Sequence, residues 1–495
     1  MIGRVTRIEA HLLTVGDELL TGDIIDTNTA VLAAFCRDLG IVVTRAVSVP
    51  DHPREIADAL FRARDHHADL CLVSGGLGPT TDDRTAEAIA AAAGVERVLD
   101  PRAQQLMLAA FTREAERADR LGLDGDRLRQ LARAADNQDQ ARLPAGAEAI
   151  PNQLGTAPGF HLEIGPSAIR PVNSPDGAHR MRIVSMPGVP SELRAMLRGP
   201  VAGLARAWFG ELGRSARRIY RTIGRGESAL APAVERAIAA LVADGDAVAP
   251  PVRLHYRAVG PEVLITIEEE KAEESTEEKA EEKAEESTEE TSAREPSPDA
   301  LGVFDAAMHE ALGGGLYGIG SAGLPERLVR VLRERGLWLA AAEACSGGVL
   351  GAQLVAVSGA SRCFRGAIVP YDDAMKVELL DVDPELIRRY GAVSAEVAGA
   401  MAAGVRRCCR ADIGLAITGI AGPGGGSPQK PVGTVDLAVD AAFAQRHQRL
   451  VLPGGRRAVQ RAAALLGLKL LWDVLLEFGH SRVFDLALPS GSGLE

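Results

Sequence analysis

Three short apolar runs, each followed by a longer segment of helical periodicity, open the chain and leave few folds available. HLLTV, IVVTRAVSV and DLCLVSG read as strands. TNTAVLAAFCRDLG, PREIADALFRARDHH and RTAEAIAAAAG read as helices, the first closed by Gly40 and the second with Pro53 near its start. A β-α-β-α-β-α series of this kind favours a doubly wound parallel sheet over residues 1 to about 170. The ligand site of such a sheet belongs where strand ends meet glycine-rich loops.

The chain has 495 residues, beyond the ~250–300 at which single cores stop growing. We expect an α/β protein of three parts: an N-terminal parallel-sheet domain over 1–210, a small α+β linking segment over 211–322, and a second α/β domain over 323–485. In the linking segment RRIYRTIG, VRLHYRAV and VLITI are strand-like and ALAPAVERAIAALVADG is helix-like. The last domain reads as helix (PERLVRVLRERG), strand (LWLAAAEA), turn (CSGG), helix (VLGAQLVAV), strand (IGLAITG), glycine-rich loop, strand (TVDLAVDAA) and a long closing helix.

The formal net charge of −12 is concentrated in one place. Residues 268–295 hold 14 Glu against 4 Lys and Arg, and the rest of the chain is nearly neutral. So little apolar surface cannot offset the entropy of ordering. We therefore expect 268–298 to be a disordered acidic insertion. No broad basic face for nucleic acid remains. No apolar run reaches the ~20 residues that cross a bilayer, and the N-terminus has no secretory apolar region. A cytoplasmic protein is expected. None of the six cysteines forms a CxxC pair, which speaks against a zinc or redox motif.

Two loops of the first domain concentrate chemistry. One is Gly16-Asp17-Glu18-Leu19-Leu20-Thr21-Gly22-Asp23; the other runs from Gly75 through Gly76, Gly78 and Thr80 to Asp82 and Asp83. Glycines at a strand end let backbone N–H groups approach phosphate. Nearby carboxylates can hold a divalent cation of the Mg²⁺ type.

The last domain carries the densest cluster. Glu343-Ala344-Cys345-Ser346-Gly347-Gly348 lies on a strand-to-helix turn, and Ser361, Tyr371 and Lys376 follow. Ser394 precedes a helix as an N-cap, and Thr418-Gly419-Ile420-Ala421-Gly422 opens a glycine-rich loop. A serine becomes a nucleophile when a base takes its proton, and a lysine can be that base. A tyrosine can relay the proton. Backbone N–H groups of the loop can hold an oxyanion or a phosphate.

GDELLTGDIIDTN, SGGLGPTTDDRT, NQLGTAPGF and MPGVPSEL resemble the N-terminal domain of the CinA family, which is similar to the molybdopterin-binding fold. EACSGG, GASRCFRGAIVPYDDAMK, YGAVSAEVAGAMA and TGIAGPGGGSPQKPVGTV resemble the family's C-terminal domain across about 323–475. The second resemblance implies amide hydrolysis of nicotinamide mononucleotide to nicotinic acid mononucleotide and ammonia, in pyridine nucleotide recycling and without a cofactor. It assigns Ser361 as nucleophile, Lys376 as general base and Tyr371 as assisting hydroxyl. Ser346, Thr418, Gly419, Gly422 and Arg456 become substrate contacts, with Arg457 left open for the last. The first resemblance implies metal-dependent ADP-ribose pyrophosphatase activity. There Asp17, Asp82 and Asp83 would hold a divalent metal, and Gly75, Gly76, Gly78 and Thr80 the phosphate. A non-catalytic nucleotide- or pterin-binding role is the third reading. A homodimer acting on a small nucleotide, without membrane or direct nucleic-acid contact, is implied throughout.

Departures from the family pattern bear on the chemistry. Ala344 stands where the family has Ser, Ala360 where it often has Ser, and YDDAMK where YSNEAK is common. Asp372 and Asp373 thus flank the proposed base, and a carboxylate beside a lysine favours the ammonium form.

Overall fold

The computed structural model describes residues 7–165, 180–210, 212, 216–243, 250–269 and 300–478. The chain forms two compact units, Met1–Arg214 and Ser215–Glu495. The small α+β segment and the last α/β domain share the second unit.

The first unit holds a six-stranded sheet in the order Val42–Val49, Glu9–Val15, Leu70–Ser74, Met181–Met186, Gly159–Ile164, Glu148–Ile150. The first four strands are parallel. The other two are antiparallel additions at one edge. The sheet therefore does not end near residue 170: it needs Met181–Met186 to cover Leu70–Ser74. Leu70–Ser74 is buried at every position, as a central strand covered on both faces must be. Leu13, Val73, Ile56, Leu60 and Ile89 pack on one face. Leu12, Leu72, Leu32, Val184 and Met196 pack on the other. Neighbours in sequence thus point to opposite cores, the period of two that a strand imposes.

In the second unit an antiparallel sheet runs Val252–Val259, Glu262–Glu269, Arg217–Ile223, Leu316–Ile319. Glu268 and Glu269 belong to this sheet, where Glu268 sits opposite Arg217 and Arg253. The cross-strand charges account for Glu268, and the pairing of Glu269 with Val252 for the next residue, both of which the sequence alone placed in the acidic insertion. Its remainder, 270–298, lies outside the described residues. Arg327, 2% exposed, donates to the carbonyl oxygens of Ala322 and Ile319 at 3.1 and 2.5 Å. It ties the last strand of this sheet to the helix Leu324–Glu334, and burial lowers its pKa to about 10.

The second sheet of this unit has the order Phe364–Ile368, Leu339–Glu343, Ile413–Gly419, Thr434–Ala441, Ala444–Val451. Its first three strands are parallel and the last two antiparallel. Ala340, Ala342, Ala344, Ala416 and Ala438 form one face, covered by Leu380, Val397, Met401 and Val405. Leu339, Ala341, Cys345, Leu415 and Ile417 form the other, covered by Val459, Ala463, Leu468 and Leu471 of the closing helix Arg456–Phe478.

The alanine face lets helix Ala395–Cys408 approach closely. A Cβ on Gly404 would lie 2.0 Å from the Leu380 carbonyl oxygen, and one on Gly414 2.0 Å from that of Ala402. Both obstacles are backbone and cannot rotate away. Gly404→Ala is expected to destabilise the folded chain by about 2–3 kcal/mol, the upper part of the overpacking range. A urea titration checks this, and an unchanged midpoint would refute it.

Candidate functional site

The C-terminal ends of Leu339–Glu343, Phe364–Ile368 and Ile413–Gly419 meet at one edge of the sheet. Glu343 is fully buried there. Its carboxylate accepts from the Ser346 hydroxyl (2.9 Å) and from the backbone N–H groups of Gly348, Leu350 and Gly351 (3.1, 2.9 and 2.7 Å). It neutralises the orphan donors at the start of helix Val349–Val355. Ser346 is thereby committed to holding the turn. Sequence reasoning placed Glu343 at this turn but gave it no role, although it is the one charge in an otherwise apolar strand. Cys345 is buried, and burial pushes its thiol up to about 12. It is held protonated and inert as a nucleophile.

The YDDAMK segment folds as a capped helix. Asp372 is the N-cap of Asp373–Leu380, accepting from the Met375 N–H at 2.8 Å. Lys376 is 2% exposed, and its ammonium donates to the Asp372 carbonyl and the Asp373 carboxylate, each at 3.1 Å. The Tyr371 carbonyl lies 3.5 Å away. Lys376 and Leu380 are the buried positions of this helix, one turn apart, and Leu380 packs in the cluster that includes Ala344. Lys376 and Ala344 therefore occupy the same face of the sheet. Thr418 joins them there: its strand neighbour Ala416 belongs to that face two residues earlier. The Thr418 hydroxyl donates to the Ala392 carbonyl at 2.9 Å, so its remaining capacity is as an acceptor.

Of the two candidate arginines, Arg456 is the one engaged. Its guanidinium donates to the Gly422 carbonyl at 2.9 Å and to the Tyr371 hydroxyl at 2.8 Å, joining the glycine-rich loop to the lysine segment. Gly419 is required by space, since a Cβ there would stand 2.7 Å from the Thr434 carbonyl oxygen and 3.0 Å from Cys345 Sγ. Lys430 was not singled out from sequence. Its ammonium donates to the carbonyls of Tyr390 and Val393 at 2.7 and 2.6 Å and pins the same loop that Thr418 holds. Ser394 caps Ala395–Cys408 as expected, accepting from the Val397 N–H at 3.3 Å.

Ser361 is not brought to this edge. It lies exposed in the turn Ala360–Arg362, before strand Phe364–Ile368, whereas Tyr371 and Lys376 follow that strand. A five-residue strand separates them, on the order of 15 Å at ~3.3 Å per residue. Within the chain, the expected Ser361–Lys376–Tyr371 set reduces to Lys376 and Tyr371, with Arg456 added.

In the first unit the loops after Glu9–Val15 and Leu70–Ser74 face the crevice where strand order reverses. Gly75 and Gly76 are there for packing. A Cβ on either would lie 2.2 Å from a neighbour, the Val15 carbonyl oxygen or Thr85 Oγ1. Thr80 donates its N–H to Asp83 at 2.9 Å, and Gly78 leaves room for the same carboxylate. Asp17 and Asp51 exchange backbone-to-carboxylate bonds at 2.9 and 3.2 Å. Burial pushes the Asp51 carboxyl above the usual range, and the charges of Asp17, Glu18 and Asp83 push it the same way. Asp51 was missed from sequence, and its place at a strand end is the signal that could have found it. Asp82 is exposed on the loop. Among the described residues no three His, Cys, Asp or Glu side chains converge as a metal-holding set. No described helix is long and apolar enough to cross a membrane.

Together these features define a two-unit α/β protein, with a molybdopterin-binding-type domain first and a lysine-bearing strand-end site in the last domain. Residues 11–205 match the family described as the probable molybdopterin binding domain, and residues 321–475 match the CinA C-terminal domain. A CinA-like protein of Frankia casuarinae is 35% identical over 478 residues, covering 96% of this chain and 98% of its own length. One from Geobacter metallireducens is 37% identical over 434 residues, covering 87% and 91%. A crystal structure of a CinA superfamily protein from Klebsiella pneumoniae is 33% identical and covers 31% of this chain and 96% of its own, with a TM-score of 0.30. The chain belongs to the CinA family.

Proposed function

We propose that the C-terminal domain binds nicotinamide mononucleotide and hydrolyses its amide, at a rate limited by Ala344. The observation that supports this is the buried Lys376 ammonium on the sheet face shared by Ala344 and Thr418. Arg456 supplies fixed positive charge at the mouth for the substrate phosphate. The Thr418 lone pairs can accept from the amide N–H groups. With no hydroxyl at 344 the attack on the amide carbonyl falls to water, which yields the acid and ammonia without an acyl-enzyme. Ammonia release from nicotinamide mononucleotide by the full chain, with and without EDTA, tests the reading. Slow release that survives EDTA is expected. A folded chain that neither releases ammonia nor binds the nucleotide would overturn it.

A second reading concerns the first unit, where Asp17, Glu18 and Asp83 crowd the raised Asp51 carboxyl. Hard oxygen donors under mutual repulsion suit a divalent cation. No three carboxylates converge here among the described residues, so Asp17 and Asp51 would supply only part of its shell and the substrate phosphate and water the rest. The chain's own part is to keep the carboxylates oriented through the backbone bonds already described. ADP-ribose cleavage that needs Mg²⁺ or Mn²⁺ and is lost in Asp51→Asn would support this reading, and metal-independent cleavage would sink it.

A further inference from the structure

The strands of the C-terminal sheet also have a starting edge, and a separate concentration of charge lies there. Helix Leu324–Glu334 delivers Arg333 in its last turn, and the turn Ala360–Arg362 delivers Arg362. Both side chains are exposed, as is Ser361 beside them. The two guanidinium groups converge on Gly359. A Cβ on that residue would stand 2.7 Å from Arg333 Nη1 and 3.6 Å from Arg362 Nη2. Gly359 has φ +84°, so glycine serves both the turn and the space the guanidinium occupies. The buried Cys363 thiol registers both charges: burial raises its pKa while Arg333 and Arg362 pull it down.

Neighbouring arginines are employed otherwise. Arg335 donates to the Leu475 carbonyl at 3.2 Å, and Arg365 lies over the Trp338 ring at 3.8 Å. Arg333 and Arg362 have no carboxylate within ion-pair distance among the described residues. Two guanidinium groups held against one face of a turn repel each other until an anion joins them. Their planar donor forks suit a phosphate dianion better than a monodentate anion.

We propose that Arg333, Arg362 and Ser361 form a phosphate-monoester site, separate from the Lys376 site and at the opposite edge of the sheet. The guanidinium groups take the phosphate oxygens and the Ser361 hydroxyl donates to one of them. Ser361 is then a ligand-binding hydroxyl, which accounts for its exposure and for its distance from Lys376.

The test is titration of the full chain at low ionic strength with inorganic phosphate and with ribose 5-phosphate, read by calorimetry. Wild type is expected to bind both with a dissociation constant on the order of 1 mM. Arg333→Ala/Arg362→Ala should weaken binding about tenfold or more, Ser361→Ala about threefold, and Arg333→Lys/Arg362→Lys should recover only part of the loss. The same losses should appear on an Arg456→Ala background, which removes the phosphate contact proposed for the Lys376 site. Phosphate binding that survives undiminished when Arg333→Ala/Arg362→Ala is added to a folded Arg456→Ala chain overturns the proposal. So does absence of binding to wild type at about 10 mM ligand.

Discussion

Ala344→Ser is expected to raise ammonia release from nicotinamide mononucleotide by on the order of 10²-fold over wild type, at little cost in stability. Residue 344 follows directly on strand Leu339–Glu343 and is on the face covered by the Lys376 helix. A hydroxyl there meets the lysine's side of the sheet, whereas the adjacent Cys345 points to the closing helix and is held as a thiol. With Lys376 as the neutral amine, the new serine can attack the amide carbonyl, its proton passing through Lys376 to the nitrogen that leaves as ammonia, and water then hydrolyses the acyl-enzyme, splitting one difficult hydrolysis into two easier steps. Burst kinetics would show that intermediate. A folded variant with wild-type release and no burst would mean that residue 344 is not where the carbonyl sits.

Lys376→Met gives the second large effect. Methionine keeps the apolar stem and the burial but removes the ammonium. Release by the chain, or by Ala344→Ser, should fall by about 10²–10⁴-fold. The folded state should lose little, because the freed Asp373 carboxylate is 59% exposed and returns to water. The split between a large fall in kcat and a small shift in Tm separates a chemical role from a structural one. Equal loss of both would assign Lys376 to the fold alone.

Much of the fold could be read from residue patterns. Leu70–Ser74 is a short unbroken apolar run and proved to be a central strand. TNTAVLAAFCRDLG and PREIADALFRARDHH carry one apolar stripe each and proved to be helices Asn28–Asp38 and Pro53–Asp65. The pairing of distant segments was not readable in that way. Nothing local in GFHLEI shows that it runs antiparallel to MRIVSM, because strand direction is settled by which partner covers which face.

The site was legible in part for the same reason. Tyr371, Lys376 and Arg456 were singled out and are linked through Tyr371, whose hydroxyl meets Arg456 and whose carbonyl lies near Lys376. Ser361 is only fifteen residues from Lys376 in sequence, and that spacing conceals a strand running the width of the sheet. Glu343 and Asp51 carry only a weak signal of their own, a lone charge in an apolar strand and a carboxylate at a strand end. Their importance comes from what the fold brings to them: the N–H groups of the following turn for Glu343, and the charges of two other loops for Asp51.

The close approach of helix Ala395–Cys408 to the alanine face has a consequence for how this domain can diverge. Where main chain touches main chain, no side chain is available to be exchanged. The layers can be neither widened nor tilted by single substitutions, and the foundation beneath Ala344 and Thr418 is inherited as a rigid block. Changes of substrate must then come from the rim, at Tyr371, Arg456 and the Tyr390–Val393 turn. Those residues reach the site from loops and helix ends and can be replaced one at a time.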